Sequence, residues 1–228
     1  MPFEPIDFQQ FFANLKANKA NREELSADQI KTRQRELFDI ALQKSALAEF
    51  GKRYVDNHRS SEVTRQQDVI KMISATMTKN IGFYIAGVPG SGKTHILLEY
   101  YYTILSKHYA ALEAIEDYPN GYGWFKREVK YYYASWISDL IRNKQKPVIA
   151  KVNLLDDFMV EEYSDWMLAG WDSYIEEINR QDGVMVVTSN VSLDDVQTKP
   201  QYARLCSRIL GNCKKIVVPS WDRRVASI

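Results

Sequence analysis

Gly87-Val88-Pro89-Gly90-Ser91-Gly92-Lys93-Thr94 matches the phosphate-binding pattern G-x-x-x-x-G-K-[ST] at every fixed position. Its flanks agree with it. Ile81-Gly82-Phe83-Tyr84-Ile85-Ala86 is an apolar run of strand length, and His95-Ile96-Leu97-Leu98-Glu99-Tyr100 continues as a helix. A strand, this loop and a helix place backbone N–H groups and a helix N-terminus around one anion. Gly87, Gly90 and Gly92 let the backbone turn tightly and approach phosphates. Lys93 is expected to reach the β- and γ-phosphates and the Thr94 hydroxyl to bind Mg²⁺. Val88, Pro89, Ser91 and His95 complete the expected nucleotide cradle, and ATP with Mg²⁺ is the expected cofactor.

A phosphate loop needs a carboxylate partner, because a metal bridging the β- and γ-phosphates takes hard oxygen ligands. Val152-Asn153-Leu154-Leu155-Asp156-Asp157 supplies one, as an apolar strand ending in two acids. Asp156 is expected to hold the metal through its water shell, and Asp157 to polarise or orient an attacking water. Asn153 is an imperfect residue for the inside of that strand.

A helix over Ser164 to Arg180 follows, with Trp166, Met167, Trp171, Tyr174 and Ile178 on its apolar side. Gly183 to Val187 reads as a core strand running into Thr188-Ser189-Asn190. Ligands gather at the carboxyl ends of parallel strands, so Asn190 is a candidate for positioning the attacking water. A polar strand-to-loop turn is the plainer alternative. In Ala203 to Ile209, Arg204 and Arg208 lie four apart and share a helical face. They are either a surface pair bonded to local acids or a source of positive charge for a neighbouring subunit's γ-phosphate. Lys215 to Val218 is a closing strand.

Between the loop and the acids, a helix is expected from Thr94 to about Ala114, then a loop around Pro119-Asn120-Gly121-Tyr122-Gly123 and a strand over Val129 to Ala134. Its tyrosines, with Trp124, suit strand faces and core, and also base stacking. Ser135 is a candidate cap for a helix over Trp136 to Asn143. Arg142, Lys144 and Lys146 then satisfy helix-end carbonyls or contact phosphates.

The chain of 228 residues, 45% apolar, allows one large domain or a domain with an appendage. Residues 1 to 60 read as helical, with Phe8, Phe11, Phe12 and Leu15 on one face and a capping box at Ser26 and Gln29. Ile30, Leu37, Ala41, Ala48 and Tyr54 then repeat at helical spacing, with Leu42 and Leu47 alongside. This region is either an extension packed on the core or a module that docks on a partner. Asn57 to Gln67 is the expected joint, and Glu62 to Asn80 a further helix. No run is long and apolar enough for a membrane span. No signal peptide is expected, and with only Cys206 and Cys213 neither a zinc site nor a disulfide framework is. A cytoplasmic location is the expectation. Net charge is +1, so nucleic-acid contact would come from a local patch.

The ordered set resembles the AAA+ ATPases of the DnaC/IstB type, above all bacterial and phage replicative helicase loaders. The matching pieces are Gly87 to Thr94 (Walker A), Leu154-Leu155-Asp156-Asp157 (Walker B), Thr188-Ser189-Asn190 (sensor 1) and Arg204-Leu205-Cys206-Ser207-Arg208 (box VII), with Leu210-Gly211-Asn212 and Ser220-Trp221-Asp222 near the end. The resemblance implies an α/β AAA+ P-loop core with a mostly parallel sheet over residues 61–228, preceded by an α-helical segment over 1–60. It implies an oligomer, formed through the ATPase domain, in which Arg208, or alternatively Arg204, serves as arginine finger. It implies an ATPase whose N-terminal region grips a hexameric DnaB-type helicase and delivers it to single-stranded DNA, with no membrane involved. Asp157 stands where many AAA+ proteins carry glutamate. The segment over 107–128 is longer than the pattern, and the segment before Walker B, which often carries DNA contacts in the family, is short. Two other readings stand beside this one: an IstB-like transposition ATPase that delivers a transposase, and a non-hydrolysing nucleotide-bound adaptor.

Overall fold

The computed structural model describes residues 27–52, 55, 81–112, 127–159 and 163–218. In chain order they form α1 (Ala27–Phe50), β1 (Gly82–Ala86), α2 (Lys93–Leu112), β2 (Val129–Tyr133), α3 (Ala134–Arg142), β3 (Val152–Phe158), α4 (Asp165–Arg180), β4 (Val184–Ser189), α5 (Leu193–Gln197), a 3₁₀ turn (Pro200–Tyr202), α6 (Ala203–Asn212) and β5 (Cys213–Val217). The strands make one sheet in the order β2-β3-β4-β1-β5, and every neighbouring pair is parallel. Parallel neighbours need long crossovers, which the helices supply. The chain leaves β1 for the β2 edge, returns through β3 and β4, and crosses β1 to reach β5. Its direction reverses at β1, so a crevice opens at the carboxyl ends of the strands there.

Successive strand residues face opposite ways, and the two cores follow from that. Phe83, Ile85, Tyr131, Leu154, Val186 and Ile216 face the layer of α1 and α2. Tyr84, Tyr132, Leu155 and Val187 face the layer of α3, α4 and α6. Trp171 is fully buried in the second layer, with the rings of Phe158 and Tyr174 at 4.9 and 6.0 Å. Its indole N–H donates to the Ser138 hydroxyl at 3.3 Å, as a buried Trp nitrogen needs.

Several sequence expectations change. The buried stripe of α1 is Phe38, Leu42, Ala46 and Phe50, whereas Ala48 is exposed and Ala41 and Leu47 are half-buried. Two phenylalanines set the helix rotation, since they bury more surface than the alanines. The helix after β2 starts at Ala134 with Tyr133 at the N-cap and no side-chain cap, so Ser135 lies inside the helix. Trp166 is 55% exposed rather than on the apolar side of α4. Asn153 is fully buried and satisfied: its side chain accepts from the Ala150 N–H at 3.0 Å and donates to the Ala150 carbonyl at 2.8 Å. That bridge braces the turn into β3. The closing strand begins at Cys213, earlier than read. The face at Phe8 to Leu15, the cap at Ser26, the side chains of Gln29, Ile30, Leu37 and Tyr54, the joint at 57–67, the helix over 62–80, the loop at 119–123, Trp124 and Ser220-Trp221-Asp222 lie outside the described residues. Among the described residues no helix is long and apolar enough to cross a membrane.

α1 packs on the nucleotide-loop side of the sheet as an extension of that core. Glu49 pairs with Lys130 of β2 at 2.8 Å, and Ser45 bonds the Tyr101 hydroxyl of α2. Leu42→Ala is expected to lower the unfolding free energy by about 2–5 kcal/mol in a urea titration, because its side chain belongs to the same core as Ile96 and Tyr101. A change under about 0.5 kcal/mol, the scale of surface substitutions, would show that α1 is detached from the fold.

Candidate functional site

The loop leaves the carboxyl end of β1 and is tied there on both sides. The Gly87 N–H donates to the Ser189 carbonyl of β4 at 3.1 Å, and the Val218 N–H donates to the Ala86 carbonyl at 2.8 Å. Gly90 and Gly92 hold φ of 79° and 89°, where a Cβ clashes with the following carbonyl. At Gly87 a Cβ would meet the Ser91 hydroxyl oxygen at 2.9 Å. Val88 and Pro89 form the exposed tip, Ser91 is buried, and Thr94 and His95 are half-buried in the first turn of α2. The Lys93 ammonium donates to the carbonyls of Gly87 and Val88, at 2.8 and 2.9 Å, and to Asn190 Oδ1 at 2.8 Å. The structure thus joins two predicted residues, Lys93 and Asn190, far apart in sequence.

Asp156 is fully buried. It sits on β3, and both neighbouring strands donate to it. The Tyr131 hydroxyl of β2 donates to Oδ2 at 2.9 Å, and the Thr188 hydroxyl of β4 donates to Oδ1. The Asp157 N–H also donates to Oδ1, at 3.1 Å. A buried carboxylate is tolerated only with such donors. Burial and the Asp156 charge raise the Tyr131 pKa well above the ordinary phenol range, so the phenol stays protonated and remains a donor. A carboxylate has about four acceptor positions; the described residues take three of them.

Two adjacent acids end in different surroundings because β3 bulges. Its pairing with β4 shifts between Leu155 and Phe158, so Asp156 and Asp157 together oppose Thr188. A bulge re-aims side chains beside a site. Asp157 adopts φ 55° and is exposed, a conformation Asp tolerates better than most residues. Its N–H also donates to the Thr188 hydroxyl oxygen at 3.1 Å. Ser189 closes the region by donating to the Phe158 carbonyl at 2.6 Å and accepting from the Val191 N–H at 3.1 Å.

Arg204 and Arg208 share one face of α6 and meet acids of α4. Asp172 takes Arg204 Nε at 2.9 Å and Arg208 Nε at 2.6 Å, and Arg208 also pairs with Glu176. Arg208 is mostly covered, whereas Arg204 is 74% exposed at its side chain.

These residues fit ATP·Mg²⁺. The positive φ of Gly90 and Gly92 shapes the loop, Lys93 supplies the cation, and among the described residues one Asp156 acceptor position has no donor. Tyr131, the anchoring role of Thr188, and the acids Asp172 and Glu176 were missed from sequence. Nothing in the sequence marks Tyr131 among three consecutive tyrosines, because strand register is a tertiary fact. Gly90→Ala is expected to lower the unfolding free energy by about 1–2 kcal/mol. Val88→Ala at the exposed tip should change it by under about 0.5 kcal/mol. Equal effects in urea denaturation would contradict the backbone account.

No family model matches the chain, and no curated protein matches it in sequence. Solved structures do match. A DnaI crystal structure superposes with a TM-score of 0.51 at 15% identity, covering 73% of this chain and 89% of that one. The DnaC helicase loader gives 0.46 at 19% identity, over 70% and 92%. Domain III of the replication initiation protein DnaA from Thermotoga maritima gives 0.49 at 13% identity, over 68% and 62%. Identities this low speak to architecture. With its all-parallel five-stranded sheet and the glycine-rich loop at the end of β1, the chain shares the fold of the DnaI structure.

Proposed function

We propose that the protein is an ATPase that loads a hexameric DnaB-type replicative helicase onto single-stranded DNA. The contact between Lys93 and Asn190, 2.8 Å across the ends of β1 and β4, is the observation that carries the nucleotide part. It sets the cation of Walker A beside the polar group of sensor 1, where a γ-phosphate needs both. Gly87 to His95 hold the triphosphate, and Lys93 moves its donors from loop carbonyls to phosphate oxygens. Thr94 and Asp156 are the groups for Mg²⁺ and its water shell. Bound Mg²⁺ supplies neutralisation of charge on the β- and γ-oxygens. Asp157, exposed at the bulge, accepts the proton of the attacking water, and Asn190 orients that water. Arg208 of a neighbouring subunit stabilises γ-phosphate charge, exchanging Asp172 and Glu176 for the neighbour's nucleotide; Arg204 is the alternative.

The client is supported by the ordered motif set and by the fold shared with DnaI. Residues 1–60 carry the grip on the helicase, and residues 61–228 carry self-association. Phe38, Leu42, Phe50 and Val55 belong to the core, so the informative deletion removes residues 1–26 only.

Lys93→Ala is expected to lose ATP binding, measured by calorimetry. Arg208→Ala should keep ATP binding but lose hydrolysis and self-association; full phosphate release by that variant would overturn the finger assignment. Light scattering of the intact chain with a DnaB-type helicase should give a nucleotide-responsive complex that weakens when residues 1–26 are removed. A complex with a transposase on DNA, and none with helicase, would replace the loader reading by the transposition one. Tight ATP binding without phosphate release at any protein concentration would make the protein an adaptor.

A further inference from the structure

Asp156 is held by groups from two flanking strands, and one of them also touches the N-terminal helix α1. Tyr131 is fully buried, and its hydroxyl donates to Asp156 Oδ2 at 2.9 Å. Its ring lies against Phe50, with centroids 4.0 Å apart and planes at 31°. Phe50 is the last residue of α1, and its position is fixed. Gly51 follows with φ 80°, and the Gly51 N–H donates to the Leu47 carbonyl at 3.0 Å, closing the helix. Phe50 also meets Tyr101 of α2 edge-on at 5.4 Å. One tyrosine therefore has its hydroxyl on the Walker B carboxylate and its ring on the N-terminal helix.

We propose that Tyr131 is a positioning residue for the Mg²⁺ side of the site: its hydroxyl fixes which Asp156 acceptor position faces the metal's water shell, and Phe50 makes that position depend on the seating of α1. The proposal rests on the reading of Asp156 as the carboxylate of that water shell. The physical case is one of occupancy. Thr188 and the Asp157 N–H take Oδ1, and Tyr131 takes one position on Oδ2. The carboxylate can then neither rotate nor exchange its two oxygens without breaking bonds to buried groups. Without the phenol, the donors among the described residues hold the carboxylate at Oδ1 alone, and the orientation of Oδ2 toward a metal-bound water is lost. Groups that orient a metal-side ligand from behind typically change metal affinity by about 10–100-fold. Phe50 acts one step further away, by packing against the Tyr131 ring that carries the hydroxyl.

The test is a titration of a fluorescent ATP analogue into the full chain, first in EDTA and then across Mg²⁺ concentrations, with apo melting curves on the same samples. Asp156→Asn is the reference and should lose the tightening that Mg²⁺ gives the wild type. Tyr131→Phe keeps the ring and is expected to match the wild type in EDTA. It should need about tenfold more Mg²⁺ for half of the tightening, a readout that a purely structural role would leave in place. Phe50→Leu should shift the same midpoint in the same direction by less. The double variant should shift no further than Tyr131→Phe alone, because both changes act through one hydroxyl. If Tyr131→Phe titrates like the wild type while Asp156→Asn has lost its Mg²⁺ response, the positioning role is overturned and the ATPase reading stands. If Asp156→Asn keeps the wild-type response, the reading of Asp156 falls and takes the proposal with it. Should Tyr131→Phe melt before it can be titrated, Phe50→Leu decides: a wild-type Mg²⁺ midpoint there overturns the link to α1.

Discussion

A fully buried carboxylic side chain, Asp156, sits toward the carboxyl end of β3, and much of the site is arranged to supply it with hydrogen-bond donors. Moving an ionised carboxylate out of water is among the most unfavourable changes in a fold unless donors replace the lost hydration. Asp156 receives a hydroxyl from β2, a hydroxyl from β4 and a backbone N–H from its own strand. Those donors come from three adjacent strands, so the sheet must be assembled and in register before the acid is satisfied. The bulge that lets Asp156 and Asp157 share Thr188 also turns the second acid outward. A single irregularity thus yields one buried and one exposed carboxylate from consecutive residues.

The phosphate loop is tied to the same frame from the other side. Gly87 bonds the end of β4, and Lys93 reaches across to Asn190 just past it. β4 is therefore the common element: Thr188 faces the acid of β3, Ser189 anchors the loop of β1, and Asn190 meets the lysine. Three successive residues of one strand end address three different parts of the site. Alternation along a strand sends Thr188 to the α2 side and Ser189 to the other side, while Asn190 lies beyond the last sheet pairing.

α1 joins this frame through aromatic packing as well as a charge pair. The Glu49–Lys130 bridge is largely covered, and Phe50 sits between Tyr101 and Tyr131. The helix covers the same face of the sheet that carries Tyr131 and Leu154. On the opposite face, α6 presents Arg204 and Arg208 to the acids of α4. Two arginines and two acids at matching four-residue spacing form a ladder between the helices, in which Asp172 and Arg208 are mostly covered and Arg204 and Glu176 are exposed. Covered guanidinium groups keep their geometry better than exposed ones because fewer rotamers remain open to them.

The sequence alone determined the phosphate loop and its flanking elements, the acidic strand, the polar strand end and the paired arginines. Each is a local pattern whose residue types, order and spacing are printed in the chain. The family resemblance implied a mostly parallel sheet, and in the fold every neighbouring pair is parallel. Sequence alone misplaced what depends on rotation or register. The buried stripe of α1 is set by where Phe38 and Phe50 meet the core, and Trp166 is exposed because α4 packs through Trp171. Asn153 looked misplaced inside an apolar strand, yet only the fold shows it bracing the turn at Ala150. Which of three consecutive tyrosines reaches Asp156 follows from the pairing of β2 with β3, where Tyr131 lies opposite Leu154 on the face that Asp156 shares. Local composition encodes an element, but register and helix rotation are chosen by contacts between distant segments. The donors to Asp156 were therefore decided by the tertiary structure.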